Sequence, residues 1–342
     1  MSVIPRSVAL ATVLTASIAA SAAHAQEVVI ATYGGSFAED TKTCHVAAFE
    51  KATGAKATLK LGSSVQFAAS LRAMGGKSDF DVAYLDDSLA TQLQNEKLLT
   101  PIDRSKLTNA ADIAPNAWGK DNAFVNFMTA ATVIAYNPKL VTTPPTSWAD
   151  LLDPKYEGKM AIGDITGTSG MHLLLALNRL KGGEIGNQDA GFEAIKPVAK
   201  RSVTLYTQAD QIVSLFERGE IAIAPWYTDR IGSLADKGVP IAVAYPKEGA
   251  VGIRPTIVFP KGAANAELAY KYLDVVLSPE GQKCFAERKY AGPVNTKVKL
   301  DDKVAAIVPY GPTYDKLWYP DPEVIAKELP VWTRRWQRQV AR

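Results

Sequence analysis

The stretch Val28-Val29-Ile30-Ala31-Thr32-Tyr33-Gly34-Gly35-Ser36-Phe37 sets a short apolar run against a glycine pair and then a helical pattern. Val28-Val29-Ile30 predicts a buried strand, and Phe37, Thr41, Cys44 and Ala48 recur at helical spacing on one side of the helix that follows. Gly54 stops that helix. Beyond it, 57–61 predicts a second strand and 65–74 a second helix stopped at Gly75-Gly76. A third strand, 80–85, runs into Asp86-Asp87-Ser88 and another helix. The β-α-β-α-β order argues for an α/β fold with parallel strands.

The middle of the chain repeats this alternation. Ser147-Trp148-Ala149-Asp150 reads as a capping box that opens a short helix. A strand is expected at 160–162, a helix at 171–180 beginning beside Thr166-Gly167-Thr168-Ser169-Gly170, and strands at 203–206 and 221–224 with a helix between them. A late strand at 256–259 precedes helices near 265–277 and 279–288, and the last stretch, with Trp318, Trp332 and Trp336, reads as helix packing back onto the body. The 342 residues are enough for two α/β units, and no flexible linker separates them. Ligands in such folds bind outside the carboxyl ends of strands, which directs attention to residues 33–36, 86–88, 164–170, 226–230 and Arg254.

The N-terminus reads as an export signal. Arg6 supplies a positive charge, 8–20 is an uncharged and largely apolar run, and Ala23-His24-Ala25 offers a cleavage pattern before Gln26. A membrane helix is the competing reading, but the run is shorter than the roughly 20 apolar residues a span requires. The mature protein is expected in the periplasm. Hydrophobic content of 47% and charged content of 21% are ordinary for a globular protein, and the formal charge is +3 with Lys and Arg scattered. That distribution argues against a nucleic-acid partner. Cys44 and Cys284 are the only cysteines. In an oxidising compartment an isolated pair predicts a disulfide, tying the first helix to one near the end, with inert core thiols as the alternative.

Several segments, taken in order, carry a family likeness. Residues 29–37, then Ala48-Phe49-Glu50-Lys51-Ala52-Thr53-Gly54 and Asp79-Phe80-Asp81-Val82, resemble the opening of extracellular solute-binding proteins of the spermidine/putrescine-binding family. Ala135-Tyr136-Asn137-Pro138, the segment 146–159, Tyr245-Pro246-Lys247-Glu248-Gly249 and Leu277-Ser278-Pro279-Glu280-Gly281-Gln282 follow in the family's order. The resemblance implies a two-lobed type II periplasmic binding fold that closes by hinge motion on a small-molecule solute and presents it to the permease subunits of an ABC transporter. It implies a monomer without a cofactor. After a signal peptide of 1–25, one lobe is expected from 26–133 plus 256–342, including a C-terminal helical extension, and the other from 134–255. The crossovers are expected near 133–135 and 254–256.

The candidate ligand contacts follow from the crevice argument and the resemblance together. Tyr33, Gly34, Gly35 and Ser36 offer close backbone approach and a helix start, against the plainer reading of a turn with an N-cap serine. Thr168, Ser169 and Gly170 repeat that argument in the other lobe. Asp86 and Asp87 match a ligand-contacting turn of the polyamine receptors, and solvated loop carboxylates are the alternative. Trp226 matches a tryptophan that stacks on ligand in the relatives, with Tyr227 and Asp229 beside it, against a core tryptophan. Thr129 completes the set. Arg254 departs from the family: the polyamine receptors carry an aromatic residue and an aspartate where this chain has Ile253 and Pro255. A guanidinium suits a carboxylate or phosphonate, so the expected solute bears an amine, an acid or both. A polyamine ligand, and a structural salt bridge at Arg254, stay open.

An exported enzyme is the reading from a different class. Only His45 and His172 remain after removal of His24, and there is no zinc-ligand spacing, Gly-x-Ser-x-Gly nucleophile motif or Walker loop. No Tyr-Tyr pair supports a ferric-ion receptor. A binding protein coupled to chemoreception fits the same fold.

Overall fold

The computed structural model describes residues 27–341 apart from 76, 209 and 210. The expected leader, 1–25, and Gly76 of the predicted helix stop lie outside the described residues. Strand β1 (Glu27–Thr32) leads into helix α1 (Ser36–Thr41), which passes through a π-helical turn (Lys42–Val46) into α2 (Ala47–Thr53). Gly54 ends this run at φ +67°, a left-handed conformation that glycine adopts without steric cost. Then β2 (Lys56–Leu61), α3 (Ser64–Met74), β3 (Val82–Asp86) and α4 (Asp87–Asn95) complete the opening alternation. A capping box of Ser63 and Gln66 starts α3. β2 and β3 both pair in parallel with β1, as the β-α-β order predicts. Two short strands follow, β4 (Leu99–Thr100) and β5 (Phe124–Asn126).

The chain then enters a second sheet. Its centre is β6 (Ala130–Tyr136). Around it come β7 (Ala161–Gly163), α5 (Thr168–Leu180), α6 (Asp189–Arg201), β8 (Thr204–Tyr206), α7 (Gln211–Glu217), β9 (Ile223–Tyr227), α8 (Thr228–Ala235), β10 (Ala242–Ala244) and β11 (Val251–Ile253). β6 pairs antiparallel with β9 on one edge and with β10 and β11 on the other, while β7 and β8 pair in parallel. The predicted capping box at Ser147 and Asp150 is present, on a single 3-10 turn, Trp148–Leu152.

β12 (Pro255–Pro260) returns the chain to the first sheet, antiparallel to β3 on one side and to β4 and β5 on the other. Both sheets are therefore mixed or antiparallel where sequence order alone suggested parallel strands. The reason is topological: a strand arriving directly from the other lobe enters with no helical crossover to reverse its direction. The sheet change also moves one expected crossover. β6 is hydrogen-bonded over its whole length within the second sheet, so residues 133–135 lie mid-strand and the crossing falls at 127–129. The other crossing is at Arg254, between β11 and β12.

The remaining helices are α9 (Ala266–Leu277), α10 (Pro279–Lys289), α11 (Asp302–Ala305), α12 (Pro312–Asp315) and α13 (Pro322–Gln339). The sequence reading placed the C-terminal extension on the first lobe. Instead Trp332, Trp336 and Val340 are buried with Ile134, Trp148, Leu151 and Phe192 of the second lobe. The Arg335 guanidinium stacks over Phe192 and pairs with Asp189. Burying two tryptophans in that core outweighs sequence proximity to the first lobe. Near its start, α13 also packs against α4 of the first lobe.

Cys44, in the π-helical turn, and Cys284, in α10, form a disulfide with a sequence separation of 240. It joins the two ends of the first lobe. Loop closure over that length is worth about 5 kcal/mol in the chain-entropy model, so Cys44→Ala with Cys284→Ala, or reduction, should lower the melting temperature by many degrees. An unchanged melting curve in reductant, with thiol release verified, would count against that role.

His45 stacks on Phe285 with ring centroids 5.0 Å apart, and His172 Nδ1 shares a 2.8 Å hydrogen bond with Thr132 Oγ1. Burial pushes His45 down to about 4, with the Gly281 backbone opposing, and pushes His172 down to about 3. The unfolded chain, titrating near 6.5, takes up these protons first. Stability is therefore full above about pH 6.5 and is lost as pH falls. Each histidine should cost about 2 kcal/mol between pH 7 and pH 5. In thermal melts, His45→Phe and His172→Asn should each remove part of that acid loss. Variants that lose stability with acid as steeply as the parent would contradict the assignment.

Candidate functional site

β3 ends at Asp86, and its next residue, Asp87, opens α4, so two carboxylates stand at the carboxyl edge of the first sheet. Across the gap, α5 begins at Thr168 in the second lobe. Arg254 sits at the crossing between the lobes, and the C-terminal segment brings Tyr319 and Pro322 to the same place. A cavity of about 190 Å³ is lined by Asp86, Asp87, Thr168, Arg254 and Tyr319, with His172 and Ile253. Four residues singled out from sequence thus meet at one cavity.

Arg254 is the organising charge of this cavity. Its Nε donates to Asp87 Oδ2 at 3.3 Å, and its guanidinium lies 4.2 Å from the centroid of the Tyr319 ring. The side chain is 24% exposed, and among the described residues its terminal amino groups have no hydrogen-bond partner. Burial raises the Asp87 carboxyl above the usual carboxylate range, with Arg254 opposing. Asp86 is accessible at the cavity mouth, yet the protein packed around it also raises its carboxyl, while Ser64 and Tyr33 pull the other way. Ser64 Oγ accepts from the Asp86 backbone N–H at 3.1 Å and lies 2.9 Å from Tyr33 Oη. Tyr33 thereby reaches the Asp86 side of the cavity, its phenol raised by burial.

The other candidates are distributed differently. Gly34, Gly35 and Ser36 are exposed at the β1–α1 turn, where Gly35, at φ +64°, takes the cap position expected for Ser36. Ser36 instead accepts a hydrogen bond from Lys289 Nζ at 3.0 Å. Ser169 and Gly170 are buried: Tyr206 Oη donates to Ser169 Oγ at 2.8 Å, and a Cβ at Gly170 would fall 2.2 Å from the Asp164 carbonyl oxygen. Their small size serves packing between α5 and β7, and Thr168 is the residue of this turn that faces the cavity.

Trp226 requires a correction. It is fully buried in the second lobe, paired across β6 with Val133, so a stacking role on ligand does not fit its position. Its neighbour Tyr227 is only half-buried and accepts the Ser169 backbone N–H at 3.0 Å. Asp229, in the first turn of α8, lies beside Arg230 and near Lys289 of the first lobe, with its carboxyl raised by burial. Thr129 is buried at the first crossing, where it exchanges backbone hydrogen bonds of 2.8 and 2.7 Å with Gly292. It does not line the cavity itself, but its side chain hydrogen-bonds Tyr319, which does.

Ser64 and Tyr319 were missed. Ser63-Ser64-Val65-Gln66 carried a capping-box signal that would have marked the α3 start. Asp321-Pro322 likewise announces a helix start, since Asp321 accepts the Glu323 N–H at 2.8 Å. Neither signal says that the turn faces a cavity, which depends on tertiary placement.

The chain is similar to known proteins in sequence and in fold. A spermidine/putrescine-binding periplasmic protein of Escherichia coli strain K12 is 26% identical over 260 residues, covering 72% of this chain and 70% of that protein. A periplasmic protein of Salmonella paratyphi A named for 2-aminoethylphosphonate binding is 24% identical over 296 residues, 85% of each chain. The crystal structure of an ABC transporter protein from Clostridium perfringens superposes with a TM-score of 0.79 at 25% identity, covering 92% of this chain and 99% of that one. The model of the family described as bacterial extracellular solute-binding protein matches residues 45–308. With its two lobes, paired crossings and interlobe cavity, this chain belongs to the bacterial extracellular solute-binding proteins.

Proposed function

We propose that the protein captures a small zwitterion, with an amine at one end and a carboxylate or phosphonate at the other, and delivers it to the permease of an ABC importer from the periplasm. The observation that carries this reading is the Arg254 guanidinium, mostly buried in the interlobe cavity with only its Nε engaged. A planar fork with free terminal amino groups is suited to an oxyanion. Asp86, across the same cavity and free of any cationic partner among the described residues, is suited to an ammonium. On ligand entry the acid takes up the free face of Arg254, and the amine offsets the carboxylates. Contacts from Thr168 in one lobe and from Asp86 in the other then favour the closed state, which is how a ligand shifts a hinge equilibrium. The amine-binding and aminophosphonate-binding names of the relatives support this class of solute.

Two carboxylates against one guanidinium also suit a diamine, so the test sets the two classes against each other. Calorimetry on the mature chain should show binding of 4-aminobutanoate or 2-aminoethylphosphonate. Putrescine and succinate, each lacking one of the two charges, should bind at least tenfold more weakly. Arg254→Ala should weaken zwitterion binding by about 30-fold, roughly 2 kcal/mol, and Asp86→Asn by about tenfold. Putrescine binding alone, unaffected by Arg254→Ala, would overturn the acid clamp and leave a polyamine receptor.

A further inference from the structure

Tyr319 reaches the interlobe cavity on a segment pinned to the edge of the second sheet. The Trp318 N–H donates to the Ala250 carbonyl at 3.0 Å, and the Gly252 N–H donates to the Trp318 carbonyl at 2.8 Å. Trp318 thereby runs parallel to Val251 as a one-residue extension of that sheet. The Arg179 guanidinium covers its indole, 4.8 Å from the ring centroid. The next residue, Tyr319, is left against Gly252 of β11 and beside Arg254.

Gly252 is what makes that placement possible. A Cβ there would fall 2.2 Å from a ring carbon of Tyr319, closer than non-bonded carbons approach. Gly252 has no positive φ that would call for a glycine, so the missing side chain serves to make room for the ring. The ring lies 4.2 Å from the Arg254 guanidinium, and its hydroxyl is hydrogen-bonded by the Thr129 side chain.

The ring bears on the direction in which Arg254 points. Asp87 engages Arg254 only through Nε, at 3.3 Å, although a guanidinium beside a carboxylate commonly pairs through two N–H groups. Such pairing would consume terminal donors that an acid-bearing solute needs. An aromatic face holds a guanidinium flat against itself, and the Tyr319 ring opposes the turn toward Asp87.

We infer that Tyr319, seated on Gly252, is a positioning residue that keeps Arg254 in single contact with Asp87 and so sets the preference for an acid-bearing solute over an uncharged analogue. The inference rests on the Arg254 clamp proposed above. Tyr319 acts through Arg254, so its loss matters only where Arg254 is present.

Calorimetry with 4-aminobutanoate and 4-aminobutanamide tests this, because the two differ only in the acid. Tyr319→Leu should weaken 4-aminobutanoate about tenfold and leave the amide within about twofold. Tyr319→Phe, which keeps the ring and gives up the Thr129 bond, should stay within about threefold of the parent for both solutes. Gly252→Ala, which displaces the ring without altering Tyr319, should reproduce the Tyr319→Leu pattern. In a double-mutant cycle, Tyr319→Leu should cost less than about twofold once Arg254 is alanine. Melting curves establish that each variant is folded, and the Tyr319 variants with the cycle decide the matter even without Gly252→Ala. Equal losses of acid and amide, a Tyr319→Phe as damaging as Tyr319→Leu, 4-aminobutanoate binding indifferent to Tyr319→Leu, or a cost undiminished in the Arg254→Ala background would each sink the positioning role and leave the acid clamp standing. Unchanged 4-aminobutanoate binding in Arg254→Ala alone would instead remove the clamp, and this role with it.

Discussion

β12 is hydrogen-bonded on both edges, to β3 on one side and to β4 and β5 on the other. That central slot in the first sheet is filled by a segment synthesised only after all the strands of the second sheet. The first lobe therefore cannot complete its sheet until the chain has gone out and come back, and both crossings are fixed by strand pairing at each end. β11 ends at Ile253 and β12 begins at Pro255, which leaves Arg254 as a single residue between two ladders. The side chain at such a point must project at the boundary of the lobes. Its placement in the cavity is a consequence of sheet topology before it is a matter of ligand chemistry.

A charge at that position is expensive unless it is compensated. Asp87 supplies the compensation through one hydrogen bond, and Tyr319 covers the guanidinium face. The pairing is incomplete in a useful sense. A bidentate salt bridge would satisfy Arg254 and make its displacement costly, whereas a single Nε contact neutralises the charge and leaves the terminal donors free. Asp86 stands at the mouth of the same cavity, its carboxyl raised by the protein packed around it. The cleft thus holds charges that a solute of complementary sign can stabilise, which is the differential affinity that hinge closure requires.

Much of this was legible in the sequence, and what was not shares one cause. The opening alternation, the capping box at Ser147, the Cys44–Cys284 link and the crossing at Arg254 are set by local pattern or by a single long-range bond. The gathering of Asp86, Asp87, Thr168 and Arg254 followed from the rule that crevices form at strand ends. Trp226 stands beyond the end of a strand expected at 221–224, but β9 runs on to Tyr227, and pairing with Val133 of β6 puts Trp226 inside the sheet and buries it. The lobe of the C-terminal helix failed for a related reason. Its tryptophans announce burial, but nothing local names the core that receives them.

That misplaced helix changes how closure must work. α13 is anchored in the second lobe through Trp332 and Trp336, yet its first turns pack on α4 of the first, and Pro322 lines the interlobe cavity. Lobe rotation about 127–129 and Arg254 therefore cannot leave α13 indifferent, because one end of it must slide on α4 as the other stays fixed. Small sliding of packed helices is the shear form of domain motion, and it permits limited displacement while side chains stay interdigitated. The structure combines a hinge made of two strand crossings with a shear contact on one flank. The segment 319–322 lies where the two meet and lines the interlobe cavity, so a solute held there would press on it directly, coupling ligand size to the angle at which the lobes come to rest.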